Sequence, residues 1–306
     1  MSASSIHNLA TSNRSTRVAA AVFEKTVQIW DLKTRERINE FETVFRFGGS
    51  RLTLDPTGEK CVAAAWKKGK GGGVACYEAA TGKVIWHRQD LRHTQRVRFS
   101  PDGIAVWCVQ ESSPTKLLDS ANGKTLKSIV GLKNLFDSVY SPELLLEKRK
   151  RDYILRKDKP VKISRLTFAI LDAAFGPHSL VISESGGSVR CIATSTGTEL
   201  WRHSPVNGSH FLKLWYRPND GNFYGVLWDF QEDIFRYLVR LKANSGEPGV
   251  LCQLNSWQEA HCSELDCIVT SRGDLIDLSA GSTLYRLNFP QRDYPDRKDV
   301  VELPMI

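Results

Sequence analysis

The sequence lacks an apolar run of the ~18 residues that a membrane helix requires; the best of its short runs, VAAAVF at 18–23, ends after six. Its N-terminal stretch has basic residues but no apolar h-region behind them, so no export leader is expected and a cytoplasmic location is. Seven cysteines are an odd number, which suits reduced thiols better than a disulfide framework, and no two are adjacent. Six of them sit in or beside apolar, strand-like runs, as reduced buried thiols do. No long helical pattern interrupts the chain, which excludes an α/β layout. A nucleophile elbow Gly-x-Ser-x-Gly is missing, and the seven histidines are dispersed. GKGGG at 69–73 lacks both the spacing and the following Ser or Thr of a phosphate loop, and reads as a hairpin loop. His261, Cys262 and Cys267 match no zinc spacing and read as core residues.

What is present is punctuation. Pro56, Pro101, Pro142, Pro177 and Pro218 each end an alternating apolar run (LTLDP, VRFSP, SVYSP, AAFGP, LWYRP), at intervals of 45, 41, 35 and 41 residues. Proline pre-sets φ at the second position of a tight turn, and the Asp, Asn and Gly that follow complete it. A second series, Gly82, Gly123, Gly197 and Gly246, joins further pairs of runs, with Lys33-Thr34-Arg35 in the same place earlier. Two interleaved turn series with a period of about 42 residues mark a four-stranded unit repeated in tandem. The expected fold is all-β: a single β-propeller over 1–306 with seven four-stranded blades, drafted at 1–45, 46–91, 92–131, 132–167, 168–206, 207–256 and 257–306. DVVELPM at 299–305 is assigned to the outer strand of the last blade.

The motifs carry a resemblance. TVQIWDLKTRERINEF at 26–41 resembles the third and fourth strands of a WD-repeat blade, with Trp30-Asp31 as the dipeptide, and VRFSPDG at 97–103 resembles that family's first hairpin turn. ACYEAATGKVIW at 75–86 and CIATSTGTELW at 191–201 look like the blade motif of quinoprotein-like propellers, which implies that Trp86 and Trp201 dock between neighbouring blades. The Asp-His-Ser-Trp network and the Gly-His dipeptide of regular WD repeats are missing. With neither the vicinal disulfide nor an export signal of the quinoprotein enzymes, no redox cofactor is carried over.

Charge is local. Of a formal net charge of +8, most lies in 147–165, which holds nine Lys/Arg against three Asp/Glu. Loops between second and third strands, and those between blades, open on one face of a propeller. That places Lys67, Lys68 and Lys70, then Arg92 with His93, then Lys148, Arg149, Lys150 and Arg151 on one basic arc, facing the acidic DFQED of 229–233. Such a field steers an acidic partner, although charged loops serve solubility equally well. Blade 6 is aromatic: Trp215, Tyr216, Phe223, Tyr224, Phe235 and Tyr237 belong in the core, whereas Trp228 and Phe230 flank the acidic loop as candidate anchors.

The expected function is a non-catalytic protein–protein interaction module that binds a protein with an acidic or mixed surface. Its sharper form is a dedicated inhibitor or immunity protein against one toxin or effector, motivated by the lack of an appended domain. No cofactor and no metal are expected. Two alternatives stay open: a propeller hydrolase or lyase with polar residues converging on the channel, and a nucleic-acid binder using the basic arc with Tyr153.

Overall fold

The computed structural model describes residues 6–22, 25–45, 51–65, 72–110, 113–130, 145–149, 152–156, 161–163, 170–204, 209–229, 236–254, 256 and 258–290, the two segments 145–149 and 152–156 as backbone only. Every regular element among them is a strand. The first sheet comprises β1 (Asn8–Thr11), β2 (Arg17–Ala21), β3 (Thr26–Asp31) and β4 (Glu36–Glu42), and the second β5 (Arg51–Leu54), β6 (Lys60–Ala65), β7 (Gly73–Glu78) and β8 (Val84–Arg88). The third holds β9 (Thr94–Phe99), β10 (Ala105–Gln110), β11 (Thr115–Asp119) and β12 (Thr125–Ile129). A three-stranded sheet follows, of β13 (Leu145–Arg149), β14 (Asp152–Arg156) and β15 (Val161–Ile163). The fifth is built from β16 (Ile170–Phe175), β17 (Ser179–Glu184), β18 (Val189–Ala193) and β19 (Glu199–His203). The sixth contains β20 (His210–Arg217), β21 (Asn222–Trp228), β22 (Arg236–Leu241) and β23 (Pro248–Leu254). The last has β24 (Glu259–Cys262), β25 (Cys267–Thr270), β26 (Asp274–Asp277) and β27 (Thr283–Arg286). Each sheet is an antiparallel meander of consecutive strands.

Two expectations are corrected. Six sheets have four strands, not seven: the fourth repeat, in which Lys and Arg stand in place of turn residues, shows only β13–β15 among the described residues. The last sheet takes its outer strand from β27, so 299–305 does not supply it; that segment lies outside the described residues.

The chain forms two compact units. One holds Met1–Leu135, Ser256–Leu278 and Thr283–Pro295; the other holds Phe136–Asn255, Ser279–Ser282 and Asp296–Ile306. In the first, the β24–β27 sheet lies beside β1–β4, then come β5–β8 and β9–β12, each packed through its first strand. In the second, β13–β15, β16–β19 and β20–β23 follow one another.

Small residues let the sheets approach. Ala19, Ala21, Ala63, Ala65 and Ala75 line the joint between the first two sheets, with Tyr77 and Phe45 filling it. Each fully buried large side chain in such a joint stabilises by about 1.5–3 kcal/mol. In the sixth sheet Trp215, Tyr216, Phe223, Tyr224 and Tyr237 are buried as expected, and Trp228 is half-buried. Phe230 and Phe235 lie outside the described residues.

Both turn series are built as the sequence indicates. In the first, Gly58 and Gly103 adopt φ of 74° and 77°, and their N–H groups donate to Asp55 O and Ser100 O at 3.0 and 2.8 Å. In the second, the N–H of Arg35, Gly82, Gly123, Gly197 and Gly246 reaches back four residues at 2.8–2.9 Å, each with φ of 65–75°. This left-handed closure forces an extra residue into the strand that follows. Ile38, Ile85, Leu126, Leu200, Leu251 and Leu284 have no cross-strand partner in the six complete sheets.

In four of the six complete sheets the residue after that bulge docks onto the next sheet. Trp86 Nε1 donates to Ser120 O at 2.9 Å, Trp201 Nε1 to Ala243 O at 2.7 Å, Asn39 Nδ2 to Ala79 O at 3.2 Å, and Tyr285 Oη to Leu32 O. The four acceptors occupy one position, just before the left-handed turn of the neighbouring sheet. The docking inferred for Trp86 and Trp201 is therefore a general device, which Asn39 and Tyr285 perform as well.

Candidate basic interaction face

Arg51 opens β5. Leu52 and Leu54 enter the cluster shared with the first sheet, so alternation turns Arg51 and Thr53 to the opposite face, toward β9. There Thr53 Oγ1 accepts from Phe99 N at 3.5 Å, and Arg51 Nε donates to Gln95 O at 2.9 Å. Burial, with the charge of Arg96 as a lesser cause, holds Arg51 below the usual guanidinium value; it stays cationic. Two guanidinium groups thus lie within Coulombic reach of each other at the start of neighbouring first strands.

The connection into β9 adds to this charge. Thr94 Oγ1 accepts no local donor but gives its own proton to Leu91 O at 2.9 Å, which closes the turn and leaves Arg92 and His93 at its exposed tip. Arg92 Nε donates to Gln89 O at 3.1 Å. The carboxylate of Asp90 does not offset Arg92, because Arg88 grips both its oxygens at 2.7 Å. That grip holds Asp90 below the ordinary carboxylate range. Arg51 and Arg96 therefore form a pair of neighbouring cations on β5 and β9, with Arg92 and His93 exposed in the connection that leads into β9.

Of the residues singled out from sequence, Arg92 falls in this connection. Lys67, Lys68, Lys70, Lys150, Arg151 and Phe230 lie outside the described residues. In the second unit Lys148 and Arg149 are the last two residues of β13, and Arg149 pairs in register with Asp152. Residues 147–149 are thus strand residues rather than part of an open loop. Trp228 ends β21 opposite His210 and Arg236. Arg51 and Arg96 were not singled out, since a polar residue alternating along a strand looks solvent-facing until the strand is known to be the first of its sheet.

Other polar clusters have structural explanations. Arg190, 2 % exposed, bonds Glu184 at 3.1 Å and Glu199 at 2.9 Å, and Arg202 also binds Glu199 at 2.9 Å. Arg217 bonds Asp220 at 3.0 Å, Tyr224 at 3.2 Å and Ser279 at 2.6 Å, while Tyr224 Oη donates to Asp220 at 2.6 Å. Burial, then the Asp220 bond, pushes Tyr224 up to about 12. Burial also raises the thiols of Cys61, Cys76, Cys108, Cys191 and Cys252. Such groups are inert at neutral pH, and none of these clusters pairs a nucleophile with a base. Among the described residues no group of three or more His, Cys, Asp and Glu is placed to hold a metal ion, and no helix is long and apolar enough to cross a membrane.

No protein-family model and no curated protein matches the sequence. The structure is similar to the crystal structure of the β-propeller domain of Cps50 (Swd1) from Myceliophteria thermophila, with a TM-score of 0.65 and 12 % identity over 92 % of this chain and 95 % of that one. Together with the repeated four-stranded meanders, this likeness shows a β-propeller fold.

Proposed function

We propose that the protein is a non-catalytic interaction module that binds an acidic protein surface through the connection-bearing ends of its sheets. The supporting observation is the pair of neighbouring cations Arg51 and Arg96, with Arg92 exposed in the connection into β9, where the carboxylate of Asp90 is already engaged by Arg88. Cations crowded together lose repulsion when a carboxylate enters, so the pair favours an anionic partner over a neutral one. The basic strand end of Lys148 and Arg149 is a second contact region of the same sign. In its finer form the partner is a single toxin or effector that this propeller inhibits. The free, buried thiols suit a cytoplasmic setting.

The test is affinity capture from the native host with the wild-type protein and with Arg51→Glu/Arg92→Glu. Partners of the wild type should be lost or reduced at least about tenfold on charge reversal, with the melting temperature retained. Recovery of the same partners in equal amount would falsify the assignment of the face.

A further inference from the structure

Cys262 and Cys267 are the only pair of described cysteines opposed in strand register, at the closed end of the β24–β25 hairpin. Both are fully buried in one cluster, with Leu9, Val18, Leu32 and Phe289. Cys61 and Cys76 also lie on adjacent strands, but they enter different clusters on opposite faces of their sheet and cannot meet. Residues opposed in an antiparallel ladder have Cα atoms about 4.5–5.5 Å apart, within the span that a disulfide bridges, and only the four-residue loop 263–266 separates the two in sequence. The interaction with Cys267 holds Cys262 below the usual thiol value in spite of burial, whereas Cys267 is raised, first by that same interaction and then by burial. The thiol held lower is the one that attacks, and an opposed second thiol is the geometry of a resolving one.

We propose that Cys262 and Cys267 form a thiol–disulfide modification site that takes a low-molecular-weight disulfide such as oxidised glutathione, with Cys262 attacking and Cys267 resolving. The Cys262 thiolate attacks one glutathione sulfur, the glutathione S–S bond breaks, and one glutathione leaves as its thiolate. Cys267, deprotonated in turn, attacks the Cys262 sulfur and expels the second glutathione. The protein loses two electrons and two protons, and the reagent is reduced to two thiols. Access requires that the loop 263–266 lift; Ser263, Leu265 and Asp266 are partly exposed and Glu264 is exposed.

The resulting bond would clamp a hairpin that joins the first and last sheets, which share no strand. Thr11 Oγ1 donates to His261 O and Ser263 Oγ to Asn13 O across that joint, Tyr285 Oη donates to Leu32 O, and Trp30 packs edge-on to Phe289 at 5.4 Å. The site therefore links oxidation to the one junction of the first unit that brings together the beginning and the end of the described chain.

The experiment exposes the folded full-length protein to oxidised glutathione, blocks free thiols with iodoacetamide, and maps the tryptic peptide 243–272 by mass spectrometry. The expected peptide lacks two hydrogens, carries the blocking group on Cys252 alone, and regains two alkylatable thiols with dithiothreitol. In Cys267→Ser the mixed disulfide should persist on Cys262; in Cys262→Ser, Cys267 should stay unmodified. Alkylation of both Cys262 and Cys267 after oxidant, a bond from either to Cys252, or faster glutathionylation of Cys267 than of Cys262 in the single variants would each overturn the proposal. If the variants fail to fold, the wild-type map decides.

Discussion

Gly246 has φ of 72°, and a Cβ built on it would lie 2.4 Å from the Trp201 ring. Trp201 is itself pinned by its bond to Ala243, so the ring cannot yield without breaking that contact. Gly246→Ala should cost about 1–3 kcal/mol, read as a lower denaturation midpoint with an unchanged slope; an unchanged midpoint would contradict the docking described for Trp201. Carboxylates supply a second expectation. Burial alone would raise Glu199 and Asp220, but the bonds from Arg202 and Arg190 to the first, and from Tyr224, Asn222 and Arg217 to the second, hold both below their ordinary 4.5 and 3.8. A carboxylate depressed in the folded state contributes stability that is whole above its unfolded value and disappears as pH falls through the folded one. Urea midpoints should therefore be flat down to about pH 5 and drop below about pH 4; a flat profile to about pH 3 would exclude these pairs as contributors.

At the scale of the strand, the bulge is the organising device. The left-handed turn adds one residue to each outer strand, an aliphatic side chain is left without a partner, and the next residue is aimed at the neighbouring sheet. Trp86 and Trp201 were legible because an indole after a Gly-containing turn belongs to a known blade motif. Asn39 and Tyr285 were not, since an amide or a phenol on a strand names no acceptor until the register is fixed. The buried Arg190–Glu184 pair was equally silent in sequence, where an Arg in VRCIA looks like the solvent side of an alternating strand. Removing one partner leaves the other charge buried, so Arg190→Leu should cost about 3–5 kcal/mol. Arg190→Leu/Glu184→Leu should recover much of that loss. A double variant as unstable as the sum of the two single ones would show that the pair is not coupled.

For the whole molecule, the period of about 42 residues and the two turn series were enough to read the propeller fold, because each blade repeats the same backbone solution. Pro142 falls where the period requires, yet the described strands of the fourth repeat number three. Charge was legible as composition but not as placement. Arg92 was found because it lies in a connection, whereas Arg51 and Arg96 acquire their role only from the position of β5 and β9 as first strands. Strand alternation fixes which side a residue faces, and only the packing of sheets says whether that side meets water, a neighbour or a partner.

The most direct test is the association rate of a captured partner, measured against ionic strength for the wild type and for Arg51→Glu/Arg92→Glu. The wild-type rate should fall steeply with salt, and the variant should associate at least about tenfold more slowly at low salt with a much flatter dependence. Equal rates and equal salt slopes for the two proteins would contradict recognition through this basic face.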